Sequence, residues 1–170
     1  MPFYIRLHHL LWNQTFISPI FCVGYDDINA FKADLELARS TFRESSRETP
    51  QGQDIGATAD TTILPIGVGF LGWILDESSD SSEKIKVALE ARVTAVWFSF
   101  GTDLEKWITF VRKYDSERTV PHKTLVFVLV NSLEEALKAT EQWKVDVLIV
   151  QSMSKSFCQL KISLTRLLTL

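Results

Sequence analysis

The chain has few of the residues that mark special chemistry. There are two cysteines, Cys22 and Cys158, far apart in the sequence with no second ligand beside either. That excludes a disulfide framework and a zinc site, and reads as buried thiols in a reducing compartment. The net charge is only −3, so there is no electrostatic case for nucleic acid or an anionic membrane surface. No apolar run is much longer than a strand, so no membrane-spanning helix is expected. The first residues, MPFYIRLHHLLWNQTF, lack a basic start and a clean apolar block and make a poor signal peptide. The expectation is a cytoplasmic protein without a membrane partner. Of three histidines, His8 and His9 are adjacent, which points them apart and suits solvent rather than a metal.

What the chain does have is alternation of apolar strand-length runs with helical stripes. Its 170 residues, 46% apolar and 23% charged, allow one domain with a real core. Phe16–Val23 reads as a strand that Pro19 confines to an edge or splits. Asp26 or Asp27 can cap a helix whose stripe is Ile28, Phe31, Leu35, Ala38 and Phe42. Residues 43–62 are polar, with Pro50, Gly52 and Gly56, and read as a long loop. The next strand is Ile63–Phe70, with Ile66, Val68 and Phe70 on one face and Gly67 and Gly69 on the other. Two glycines on one face leave bare backbone that a flat ligand, or a neighbouring helix or strand, can approach. Gly67, Gly69 and Gly72 fit G-x-G-x-x-G only formally, because two of them lie inside the strand and no helix is evident after it.

Asp76–Ser82 reads as a solvated turn, and Ile85, Ala88 and Leu89 as the buried side of a short helix. Thr94–Phe100 is the following strand, with Ser99 its one polar residue near the end. Thr102 with Glu105 suggests a capping box for a helix burying Leu104, Trp107, Ile108 and Val111. His122 then falls at the amino end of the strand Thr124–Val130, where a structural role is expected. Ser132 with Glu135 repeats the capping box, and Leu133, Ala136, Leu137 and Thr140 are expected to face the sheet. The strand Asp146–Gln151 ends on a polar residue at the edge where parallel α/β sheets put their chemistry.

Strand and helix alternating at this pitch indicate an α/β fold with roughly five parallel strands and intervening helices. A closed (β/α)8 barrel needs about 250 residues, so the expectation is an open sheet or a partial TIM barrel. The last stretch, 152–170, has three basic residues, no acid and no glycine, and does not read as the next β/α unit.

The segments VGYDDINAFKADLELAR (Val23–Arg39), LPIGVGFLGWIL (Leu64–Leu75), AVWFSFG (Ala95–Gly101), KTLVFVLVNSLEEALKA (Lys123–Ala139) and VDVLIVQ (Val145–Gln151) occur in the order and spacing of one family. Over about residues 20–151 the chain resembles the FMN-dependent nitronate monooxygenases, formerly called 2-nitropropane dioxygenases. That resemblance implies a TIM barrel with FMN at the carboxyl ends of its strands. It also implies oxidation of alkyl nitronates by O2 to a carbonyl compound and nitrite. Gln151 matches the glutamine that opens the family's Q-G-x-E-A-G-G-H stretch beside the flavin. Gly69 matches a flavin-contacting Asn, so only a backbone contact would survive there.

After Gln151 the pattern departs. The glycines, the histidine proposed as base and the later phosphate-binding strands have no counterpart in the residues that follow. No catalytic residue is therefore assigned. The abrupt change reads as a premature or alternative end of a single incomplete domain, 1–170. The competing expectation is a non-catalytic barrel fragment that associates through uncovered sheet edges. A weaker alternative is another phosphate-binding barrel enzyme of the same architecture.

Overall fold

The computed structural model describes residues 18–23, 27–47, 63–151 and 160–164, with side chains described for 27–44 and 63–151. The expected readings of His8, His9, Cys158 and most of the polar loop fall outside these residues.

Six strands form one sheet in the order β1 to β6. They are β1 (Ser18–Val23), β2 (Leu64–Leu71), β3 (Val93–Ser99), β4 (Leu125–Val130), β5 (Val147–Gln151) and β6 (Leu160–Leu164). Strands β1 to β5 are mutually parallel, and β6 pairs antiparallel with β5. Pro19 does what its missing N–H dictates: β1 is an edge strand, and its register with β2 shifts between Ser18 and Ile20. The tail residues Leu160–Leu164 are the sheet's sixth strand rather than a further β/α unit. The β5 edge is paired with β6, so the outer strands are β1 and β6.

Between the parallel strands run α1 (Ile28–Arg47), α2 (Gly72–Glu77), α3 (Ser81–Glu90), α4 (Leu104–Glu117) and α5 (Leu133–Leu137), the last continued by a π-helical turn, Lys138–Gln142. Their apolar sides share one cluster with Ile66, Val68 and Phe70 of β2, Val96 and Phe98 of β3, and Val126, Val128 and Val130 of β4. Phe70 and Phe98, partners in register, stack with centroids 5.8 Å apart. Each is fully buried, which stabilises by about 1.5–3 kcal/mol per side chain. A second, smaller cluster holds Leu129, Val147 and Ile149 with Trp97 and Phe127. It lies on the opposite face, because side chains alternate along a strand. Gly67 and Gly69 belong to that face.

Several local expectations are corrected. Helix α1 continues through Arg47, into what reads as loop. Gly72–Glu77 is helical: one and a half turns are too short to show a stripe. Helix α4 is capped by Asp103, which accepts from the Lys106 N–H at 3.3 Å, not by Thr102. Ser132 does cap α5, accepting from Glu135 N–H, while the Glu135 carboxylate accepts from Asn131 N–H. Leu133 and Leu137, expected to face the sheet, are 76% and 49% exposed. The π turn, closed by Trp143 N–H to Lys138 C=O, instead buries Ala139.

Candidate functional site

The carboxyl ends of the parallel strands carry short turns, and the first two are locked together. Gly72 follows β2 and Gly101 follows β3. A Cβ on Gly72 would lie 2.5 Å from Gly101 Cα and 2.7 Å from Leu104 Cδ2. Only glycine permits this approach. Beside it the Trp73 N–H donates to the Phe100 carbonyl at 2.9 Å. Asp76, expected in a solvated turn, adds a second tie: its carboxylate accepts from Trp107 Nε1 at 3.2 Å and from Thr102 N–H at 3.3 Å. Lys106 Nζ lies 4.3 Å over the Trp107 ring.

This bracing presents two large aromatic residues. Trp73 is 40% and Phe100 48% exposed. Phe100 has left its strand and adopts φ 56°, a left-handed conformation that costs a bulky L-residue about 1–2 kcal/mol. The strained backbone sits directly beside the Gly72–Gly101 contact, and the side chain it carries is left half exposed at the carboxyl edge. Sequence reasoning missed Trp73, Phe100 and Asp76 as site residues. The available signal was Leu-Gly-Trp and Phe-Gly, each directly after a strand-length run.

The two residues singled out from the sequence are not brought together. Gln151 ends β5 at the carboxyl edge, half-buried, with Leu160 its partner in β6. Gly69 lies lower, in register with Cys22 on one side and Trp97 on the other. The same row continues through Phe127 to Val147. Gln151 is thus four residues farther along, and three strand spacings across. In a flat sheet that is about 19 Å. On the helix-free face, Trp97 and Phe127 stack with centroids 6.4 Å apart, so the row beside Gly69 is filled by aromatic rings.

A flavin poses two demands, an edge that reads its ring and a cradle for its phosphate. The Gln151 amide can donate and accept, and suits the first. The turns after β2 and β3 carry Asp76, Glu77, Asp80 and Asp103 and, within 72–80 and 100–103, no lysine or arginine. The turns after β2 and β3 thus offer a phosphate no cationic side chain of their own.

The amino ends of the strands look different. Asp146 accepts from Arg112 at 2.7 Å, Lys123 at 2.7 Å and the Val126 N–H at 2.9 Å. Burial alone would raise its pKa; these three donors outweigh burial and hold it below the usual carboxylate value. Asp115 accepts from the Thr124 N–H at 2.7 Å and from Thr124 Oγ1 at 3.1 Å. His122 sits where expected, its Nε2 3.0 Å from the Val93 carbonyl. Burial lowers its pKa, against the pull of that carbonyl. Among the described residues no group of three or more His, Cys, Asp or Glu is placed to hold a metal ion. None of the described helices is long and apolar enough to cross a membrane.

No protein-family model, curated protein or solved structure matches the chain.

Proposed function

We propose that the chain is a partial (β/α)8 barrel of the nitronate monooxygenase type. The parent activity is FMN-dependent oxidation of alkyl nitronates by O2 to a carbonyl compound and nitrite. One observation carries this reading: five parallel strands in sequential order, their helices on one face, with the fifth ending on Gln151. A right-handed crossover repeated in one direction keeps every helix on the same side, which is how a barrel winds. A doubly wound sheet reverses direction and places helices on both faces. In this reading Gln151 reads the flavin ring, and Trp73 and Phe100 line the approach for the nitronate. The serial sequence resemblance over residues 20–151 supplies the chemistry.

The test is flavin uptake by the purified chain, read as saturable quenching of flavin fluorescence, followed by oxygen consumption with an alkyl nitronate. Because the turns after β2 and β3 carry no lysine or arginine, riboflavin should bind about as tightly as FMN. Colourless protein that takes up neither flavin would end the proposal.

A second reading is a non-catalytic barrel fragment acting by association. It is favoured by β6, which lies antiparallel where the next parallel strand of a barrel would sit. A monodisperse monomer with a cooperative melt would count against it; a concentration-dependent oligomer that ignores flavin would establish it.

A further inference from the structure

Residues 118–124 join α4 to β4 along the amino edge of the sheet. Thr119, Val120, Pro121 and Lys123 are exposed. Thr119 and Val120 line an open cleft with Leu89, Glu90 and Arg92, which leaves this loop room to move. Side chains hold it. At its start Arg118 Nη2 donates to the Leu89 carbonyl at 2.8 Å, and Arg118 Nε lies 3.0 Å from Asp115 Oδ1. At its end Lys123 donates to Asp146 at 2.7 Å, and the Thr124 N–H and hydroxyl donate to Asp115 at 2.7 and 3.1 Å. In its middle the tie is His122, whose Nε2 is 3.0 Å from the Val93 carbonyl at the start of β3. The carbonyl only accepts, so Nε2 carries the proton and Nδ1 of the neutral ring carries none.

The charges around that ring are unbalanced. Facing it are Arg118 and Asp115 of α4 and Arg92 of the turn before β3. Arg118 and Asp115 offset one another. Arg92 adds a charge whose Nε is buried with no hydrogen-bond partner. Glu90 and Glu117, which also line the cleft, pair with Lys86 at 3.6 Å and Lys113 at 3.9 Å. A second proton on His122 would therefore set three cations against one carboxylate that already serves Arg118 and Thr124. Burial and the two arginines accordingly hold its pKa below the ordinary 6.5, against the pull of the Val93 carbonyl and Asp115. Turning the charged ring out to water relieves both the burial and the repulsion. Opening thus takes up a proton, and the open form gains as pH falls.

We propose that His122 is an acid-released latch: neutral, it fastens the α4–β4 loop to the amino end of β3; protonated, it leaves the Val93 carbonyl and frees the loop. The latch is independent of the flavin reading and lies at the opposite edge of the sheet.

The test is amide relaxation of the full isotope-labelled chain, followed from about pH 7.5 to about pH 4.5. That range stays above the ordinary aspartate value of 3.8, so the carboxylate pairs persist. Order parameters of the loop amides between Thr119 and Lys123 should fall from about 0.85 to below about 0.6, with those of β3 and β4 unchanged. The midpoint should coincide with the titration of the His122 ring. His122→Gln keeps an amide donor for the Val93 carbonyl but cannot titrate, and its loop should stay rigid throughout. Arg92→Gln removes one facing cation and should move the midpoint to higher pH. The proposal is overturned by a loop whose order ignores pH in the unsubstituted chain, or by the same fall in His122→Gln. It is equally overturned by a simultaneous loss of order in β3 and β4, or by a midpoint that Arg92→Gln leaves in place.

Discussion

The two ends of the same parallel sheet are built on opposite principles. At the amino edge, charges are engaged: Asp146 holds two cations and a backbone N–H, and Asp115 holds Arg118 and Thr124. At the carboxyl edge of β2 and β3, the turns are fastened by a glycine–glycine contact and one carboxylate, and they hold exposed aromatics, one of them strained. Polar groups are spent on holding the chain at one end and rigid backbone on presenting side chains at the other. In such a sheet the exceptions are the informative residues. Arg92 keeps a buried Nε without a hydrogen-bond partner at the engaged edge, and Phe100 is an exposed aromatic held at φ 56° beside the Gly72–Gly101 contact.

Substitutions can break each edge separately. The largest effect is expected at the amino edge. Asp146→Ala would leave Arg112 with only the Thr124 and Lys144 carbonyls and leave the Val126 N–H without its acceptor. It should destabilise by about 3 kcal/mol in denaturant unfolding, and Asp146→Asn by somewhat less. Gly72→Ala should cost about 2 kcal/mol, because the new methyl meets the Gly101 backbone rather than a movable side-chain tip. It should also weaken flavin uptake, whereas Asp146→Asn should change stability alone.

Relief of strain sharpens the contrast. Lys144 and Phe100 both sit in the left-handed region, at φ 49° and 56°. Lys144→Gly and Phe100→Gly should each stabilise by about 1 kcal/mol. Only Phe100→Gly should raise the Michaelis constant for a nitronate, since Lys144 precedes β5 at the amino edge.

The smallest effect is the pH dependence from His122. Its folded pKa is lowered by burial, so the unfolded chain binds the proton more readily. Its contribution is complete above the ordinary value of 6.5 and is lost as pH falls through the lowered folded value. Asp146, also lowered, adds a second loss only below its ordinary 3.8. A melting curve followed downward from pH 7 should decline first in the His122 range, and His122→Gln should flatten that first step while leaving the second.

Much of this architecture was legible in the residues. Alternation on β2 separated Ile66, Val68 and Phe70 from Gly67 and Gly69, but not which of the two faces takes the helices; they pack on the Ile66, Val68 and Phe70 face. Pro19 foretold an irregular edge strand, and Ser132 with Glu135 a capped helix. What escaped depends on contacts distant in sequence or on backbone choices without a side-chain signature. The orientation of α5 turns on a π turn, which rotates Ala139 rather than Leu133 and Leu137 inward. Asp76 gains its role only when Trp107 and Thr102 arrive beside it. The strand in Leu160–Leu164 carries an apolar–polar alternation, but its pairing with β5 is a tertiary choice. Gln151 lies at the carboxyl end of β5, where the strand reading put it, while Trp73 and Phe100 carry no signal in the sequence beyond their place at the ends of apolar runs.

The most direct test of the account is a flavin titration of the unsubstituted chain beside Gln151→Ala and Lys144→Gly. Saturable quenching is expected with FMN and riboflavin alike, lost in Gln151→Ala and unchanged in Lys144→Gly. No uptake of either flavin, or uptake that survives loss of the Gln151 amide, would contradict the assignment of the carboxyl edge as a flavin-ring site.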